Sequence, residues 1–353
     1  MPAEAIASGY GVVVLILPVT AGARLNSNSD PTMSTHFAKS ALSALALSCV
    51  LATPPVLADN VSPAGAALAS GQQMTAPAWK SVPTQSVAVG KVSFAYRELG
   101  QQNGGTPVIL LAHLAAVLDN WDPRIVDGLA ARHHVIAFDN RGVGASTGSP
   151  ANTIEQMADD AVAFIKAKGF QQVDLFGFSM GGMIAQEIAL KEPALVRRMI
   201  LAGTGPAGGE GISTVAGVAN YDLIRATFTG QDPKQYLFFT RTPGGIAAGQ
   251  AFLKRLQERA ENRDAEIAVW AYVAQLQALK AWGEKRPADL SVIKQPVLVA
   301  NGDDDRMVPT PNSHDLARRL PNAQLVIYPD AGHGGIFQYH EDFLPKALTF
   351  LSR

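Results

Sequence analysis

Short runs of consecutive apolar residues recur along this chain at 107–112, 135–138, 173–178, 199–202 and 297–300. They lack the strict apolar/polar alternation of a strand with one wet face, so they read as strands buried on both faces. Between them lie segments with helical spacing at 120–131, 153–168, 180–191 and 311–320. In the second, Thr153 is placed to cap the helix, Gln156 follows three residues on, and Gly169 stops it. Strands alternating with helices predict an α/β chain with a mostly parallel sheet covered by helices on both faces. A hairpin at 87–97, turning at Gly90-Lys91, precedes the first buried run. A further strand at 324–328 and a helix at 342–351 close the chain. The alternation breaks at 207–288, which carries helical patterns and no convincing strand. This block reads as a helical insertion, the core being 86–206 and 289–353. The 353 residues are 47% hydrophobic and 17% charged, which is enough apolar material for a large core.

The first 85 residues have a different character. From Met33 a weakly basic start (His36, Lys39) leads into an apolar stretch at 41–52 and then Val56-Leu57-Ala58. This is the layout of a secretory signal peptide at 33–58, with 1–32 as an upstream extension and a periplasmic or secreted destination. The apolar stretch is too short for an ordinary membrane span, so no span is expected in the mature chain. A longer N-terminal anchor is the alternative, because 11–19 is also apolar. Residues 59–85, rich in Ala, Ser, Gly and Pro, read as a flexible lead-in.

Charge excludes some partners. Lys+Arg is 29 and Asp+Glu is 30, and no segment is densely basic, so a nucleic-acid partner is not expected. The single cysteine, Cys49, allows no intramolecular disulfide and no cysteine metal cluster. The sequence implies no cofactor or metal and leaves the oligomeric state open.

Chemistry concentrates at three places. Gly177-Phe178-Ser179-Met180-Gly181 lies at a strand-to-helix junction. A sharp turn there exposes the serine and aims the N–H groups of the helix N-terminus at it. A serine hydroxyl needs a base. Of the seven histidines, His333 stands out, in the glycine-rich loop 330–335 after the last strand. The base needs a carboxylate to fix its tautomer. Asp303, Asp304 and Asp305 follow the strand at 297–300 and compete for that role. Adjacent aspartates splay apart, and no EF-hand spacing is present, so a metal site is disfavoured.

With these motifs in place, residues 87–353 resemble the α/β-hydrolase superfamily. Residues 138–146 (FDNRGVGAS) are similar to its FDxRGxGxS segment, and 302–309 (GDDDRMVP) to its GxxDxxxP acid loop. The resemblance implies Ser179 as nucleophile, Asp305 as the acid and His333 as the base. It makes 207–288 a cap and gives the oxyanion-binding N–H groups to Leu114 and Met180. In the usual family form a glycine follows the histidine corresponding to His113. Here the run is Leu114-Ala115-Ala116. His113 itself is expected to make a structural hydrogen bond within that loop.

The implied function is hydrolysis of a small-molecule carboxylic ester, thioester or lactone through an acyl-enzyme. A cofactor-free haloperoxidase or perhydrolase using the same triad is one alternative, and a non-catalytic binding module of this fold is another. The cap aromatics, Phe238, Phe239 and Trp270 among them, are expected to set substrate preference without carrying the chemistry.

Overall fold

The computed structural model describes residues 78–353, together with the short antiparallel pair Ile6–Ala7 and Val13–Val14. The segments read as a signal peptide (33–58) and as residues 59–77 of the lead-in lie outside the described residues.

Eight strands form the central sheet: β1 (Gln85–Val89), β2 (Val92–Leu99), β3 (Val108–Leu111), β4 (Val135–Phe138), β5 (Val173–Phe178), β6 (Val196–Ala202), β7 (Val297–Gly302) and β8 (Ala323–Tyr328). Their spatial order is β1-β2-β4-β3-β5-β6-β7-β8. The hairpin β1–β2 and the β2–β4 pair are antiparallel, and every other pairing is parallel. The chain leaves β3 in one direction for β4 and returns past β3 to β5. The carboxyl ends of β3 and β5 therefore flank the kind of reversal at which open α/β sheets bind ligands.

The apolar runs are buried for the reason their pattern suggests. Successive residues of a strand face opposite sides of the sheet. Ile109 and Leu175 join one apolar cluster with Phe164 and Ile184, whereas Leu110 and Phe176 join another with Ile125 and Phe343. Helices α2 (Ile154–Ala167) and α3 (Met180–Lys191) cover the first face. Helices α1 (Pro123–Ala130) and α10 (His340–Leu351) cover the second. The Thr153 hydroxyl accepts from the Gln156 backbone N–H, as the cap motif requires.

Between β6 and β7 the chain forms α4 (Val215–Thr229), α5 (Pro233–Phe238), α6 (Pro243–Leu256) and α7 (Val269–Glu284). Helix α8 (Pro311–Arg319) links β7 to β8, and the short α9 (Gly335–Gln338) follows β8.

The structure differs from the sequence reading at the end of the lead-in. Residues 78–85 are packed rather than free. Trp79 and Val82 are buried, and the Arg259 guanidinium donates to both their carbonyls. Two apolar residues among Ala, Pro and Ser make no periodic pattern, and their partner lies far along the chain.

Candidate active site

Ser179 sits at the β5–α3 junction with φ 56 and ψ −120, a conformation that costs a non-glycine residue on the order of 1–3 kcal/mol. The surrounding ladder holds it there, since its N–H donates to the Ala202 carbonyl at 2.8 Å. Helix α3 can begin at once because Gly181 lies against the end of β3. A Cβ on Gly181 would fall 1.9 Å from the Leu111 carbonyl oxygen.

Asp305 lies in the turn after β7 and His333 in the loop after β8. The two loops are stitched together: Asp303 N–H donates to Tyr328 O, and Asp304 N–H to Ala331 O, both at 2.9 Å. Gly302 permits this, since a Cβ there would fall 2.0 Å from the Ala331 oxygen. Among the competing aspartates, Asp303 and Asp304 are exposed and Asp305 is buried. Asp305 Oδ1 accepts from the Met307 and Val308 N–H groups at 2.8 and 3.0 Å, and Oδ2 faces His333 Nδ1 at 2.8 Å. A carboxylate accepts there, so Nδ1 carries the proton and Nε2 is left as the basic nitrogen.

The His333 imidazole lies beside the strand that leads into Ser179. The Phe178 ring packs on His333 at 5.0 Å between centroids. At Gly203, next after the residue that accepts from Ser179, an added Cβ would fall 3.3 Å from His333 Cε1. No hydrogen bond joins Ser179 Oγ to His333 among the described residues. In resting hydrolases such contacts are often long and tighten when substrate binds.

The structure brings Asp305 and His333 together, and Ser179, Asp305 and His333 follow one another in the nucleophile–acid–base chain order of an α/β-hydrolase. The alpha/beta hydrolase fold family matches residues 106–338. The chain belongs to the α/β-hydrolase family.

Its solved relatives include an alpha/beta hydrolase fold protein from Chitinophaga pinensis, 37% identical, with a TM-score of 0.73. That likeness covers 78% of this chain and 99% of the other. A 2-hydroxy-6-oxo-6-(2'-aminophenyl)hexa-2,4-dienoic acid hydrolase from Metapseudomonas resinovorans is 30% identical, over 76% of this chain and 90% of its own length. A Mycobacterium tuberculosis H37Rv protein named as a non-heme bromoperoxidase, BpoC, is 27% identical over 74% of this chain and 98% of its own.

This α/β-hydrolase also buries the two residues whose backbone N–H groups are the candidate oxyanion donors. Leu114 and Met180 are 9% and 0% exposed. Among the described residues neither N–H donates to a protein acceptor. The loop carrying Leu114 is a turn closed by Ala116 N–H to His113 O at 3.2 Å, with Ala115 at φ 63. Its glycine-free sequence therefore still reaches the left-handed conformation. The Ala115 N–H donates to Gln275 Oε1 of α7 at 2.7 Å.

His113 does make the expected hydrogen bond within the loop, from Nδ1 to the Leu114 carbonyl at 2.7 Å. A carbonyl only accepts, so Nδ1 is protonated. Burial lowers its pKa from 6.5 to about 3, which keeps the ring neutral. The unfolded chain would take up this proton near pH 6.5, and the folded one only near pH 3. The stability contribution is therefore whole above about 6.5 and is lost as pH falls toward about 3. Melting temperatures between neutral pH and about 4 should fall more steeply for the wild type than for His113→Asn, which keeps a donor but cannot titrate. Equal slopes would contradict a buried neutral His113.

The helical segment reaches the site in ways its sequence did not advertise. Phe238 packs on both imidazoles, 5.1 Å from His113 and 5.4 Å from His333, and its carbonyl accepts the Gly334 N–H at 2.7 Å. Thr240 and Thr242 hydroxyls donate to the Asp330 carboxylate at 2.9 and 2.8 Å, anchoring the His333 loop. Trp270, by contrast, is 56% exposed. A cleft of about 540 Å³ bounded by Thr84, Ala145, Arg259 and Arg263 includes none of Ser179, Asp305 and His333.

Proposed function

We propose that this α/β-hydrolase cleaves small carboxylic esters, thioesters or lactones through an acyl-enzyme on Ser179. His333 takes the serine proton through Nε2 and returns it to the leaving group. Asp305 holds the imidazole tautomer and stabilises the imidazolium that forms. The Leu114 and Met180 N–H groups bind the oxyanion. The observation that carries this reading is the buried 2.8 Å contact between His333 Nδ1 and Asp305 Oδ2, set beside a serine at φ 56. The hydrolase named among its relatives supports hydrolysis, though its named substrate is a keto acid with no ester bond.

The relative named as a non-heme bromoperoxidase favours a second reading, in which peroxide replaces water as the acyl acceptor with the triad unchanged. Screening p-nitrophenyl esters of graded chain length beside lactones, with and without peroxide, separates the two. Ester or lactone turnover that needs no peroxide supports the proposal. Turnover only with peroxide favours the second reading. Absence of both in a folded protein would leave a binding module.

On the sequence alone, we also read residues 33–58 as a secretory signal and the destination as periplasm or medium. The mature chain is then expected to begin near Asp59. N-terminal sequencing of the exported protein tests this, and a soluble cytoplasmic enzyme retaining 33–58 would contradict it.

A further inference from the structure

The peptide unit joining Leu114 to Ala115 is held at both ends. Its carbonyl oxygen accepts from His113 Nδ1, and its N–H donates to Gln275 Oε1, each at 2.7 Å. The amide of Gln275 cannot be turned the other way, because a backbone N–H requires an oxygen opposite it. Gln275 is fully buried on α7, among Ala271, Ala278, Leu279 and Trp282. Of its two polar atoms, Oε1 is matched to this peptide, while Nε2 has no hydrogen-bond partner among the described residues.

The pinned unit directly follows the N–H of Leu114. Its orientation fixes ψ of Leu114 and φ of Ala115, and with them the direction of the loop that carries the oxyanion donor. Ala115 stands at the third position of a turn with φ 63, where glycine is the usual residue. An alanine there favours leaving the left-handed region. We infer that Gln275 is a positioning residue for the oxyanion loop: from the cap helix α7 it holds, by accepting the Ala115 N–H, a turn that glycine would adopt unaided. The oxyanion site is then complete only while α7 is seated on the loop, which ties transition-state stabilisation to the position of the helical segment. This inference rests on Ser179 being the nucleophile.

Gln275→Met keeps the bulk of the side chain and removes the acceptor. It should lower kcat for a p-nitrophenyl ester by about 10- to 100-fold, the scale of a misplaced catalytic group. KM should stay within a few-fold, since substrate in the ground state gains little from the oxyanion donors. Affinity for phenylboronic acid, which becomes a tetrahedral anion on the serine, should fall by the same factor as kcat. General loss of packing would not produce this matched pair. Gln275→Glu, which retains an acceptor, should lie closer to wild type than Gln275→Met in both measurements. A folded Gln275→Met with wild-type kcat and boronic-acid affinity overturns the inference. Should the Met variant not fold, the Glu variant decides: affinity within a few-fold of wild type supports the inference, and a loss of ten-fold or more overturns it. Ser179→Ala in the same assay keeps the two failures apart. If it is active, the serine reading falls. If it is inactive while Gln275→Met is normal, only the role of Gln275 falls.

Discussion

Replacing Ser179 by alanine is expected to remove ester turnover while leaving the fold intact. The loss should be on the order of 10³-fold or more, because the members of such a triad act as a unit and removing one disables the others. The strained backbone at φ 56 is set by the β5–α3 junction, by the Ser179 N–H to Ala202 O bond and by the close fit of Gly181 on β3. None of these involves the hydroxyl, which makes no hydrogen bond to protein among the described residues. Alanine meets the same backbone strain as serine, so the melting temperature should hardly move. Steady-state kinetics with a p-nitrophenyl ester, paired with a thermal melt, checks both halves. A pure, folded Ser179→Ala that keeps most of its activity is incompatible with a serine mechanism.

Asp305→Asn is expected to cost roughly 10⁴-fold in kcat, the scale seen when the acid of a comparable triad becomes an amide. The asparagine keeps the shape of the side chain. With its oxygen accepting from the Met307 and Val308 N–H groups, its NH₂ would face His333 Nδ1. An NH₂ donates, so the imidazole would have to move its proton to Nε2 and lose its basic nitrogen there. Asp303→Asn and Asp304→Asn should cost far less. Both residues are exposed, and their backbone N–H groups, which hold Tyr328 and Ala331, survive the change. Kinetics on the three variants distinguishes them, and greater sensitivity at Asp303 or Asp304 would move the acid to a different position.

Most of the core was legible because its signals are local. Strand β5 and helix α3 fall where the apolar run and the glycine pattern place them, at Val173–Phe178 and Met180–Lys191. The same holds for β4 at Val135–Phe138 and for the Thr153 cap. The geometry around Asp305 was not local. Adjacent aspartates look alike in sequence, and only the fold shows that one is buried against His333 while its neighbours face solvent. Contacts across the chain were equally invisible. Phe238 reads as one more cap aromatic, yet it packs on both imidazoles. Trp270 reads the same way and is half exposed. Gln275 did leave a trace, as a lone amide on the apolar stripe of α7, but nothing in that stripe names Ala115 as its partner. The missing glycine after His113 pointed to an unusual loop at Leu114. The hydrogen bond that replaces the glycine's freedom comes from a residue 160 positions further along the chain.

The helical segment was expected to choose substrates and leave the chemistry to the core. Its residues touch the candidate site at several points: Phe238 on both imidazoles, Thr240 and Thr242 on the His333 loop, and Gln275 on the Leu114–Ala115 turn, while Asp222 of α4 pairs at 3.1 Å with Arg306, the neighbour of Asp305. Ser179 and His333 are only 5% and 2% exposed, so the site as described is nearly closed.

The most direct test of the account is covalent labelling of the wild-type protein with a fluorophosphonate, read by intact mass and peptide mapping. The phosphorus of the probe is attacked by an activated serine, and fluoride leaves. The account predicts one adduct per chain, located on Ser179, with ester turnover lost in parallel and no adduct on Ser179→Ala. An active protein that takes no label, or one labelled at another residue in parallel with its loss of activity, would contradict it.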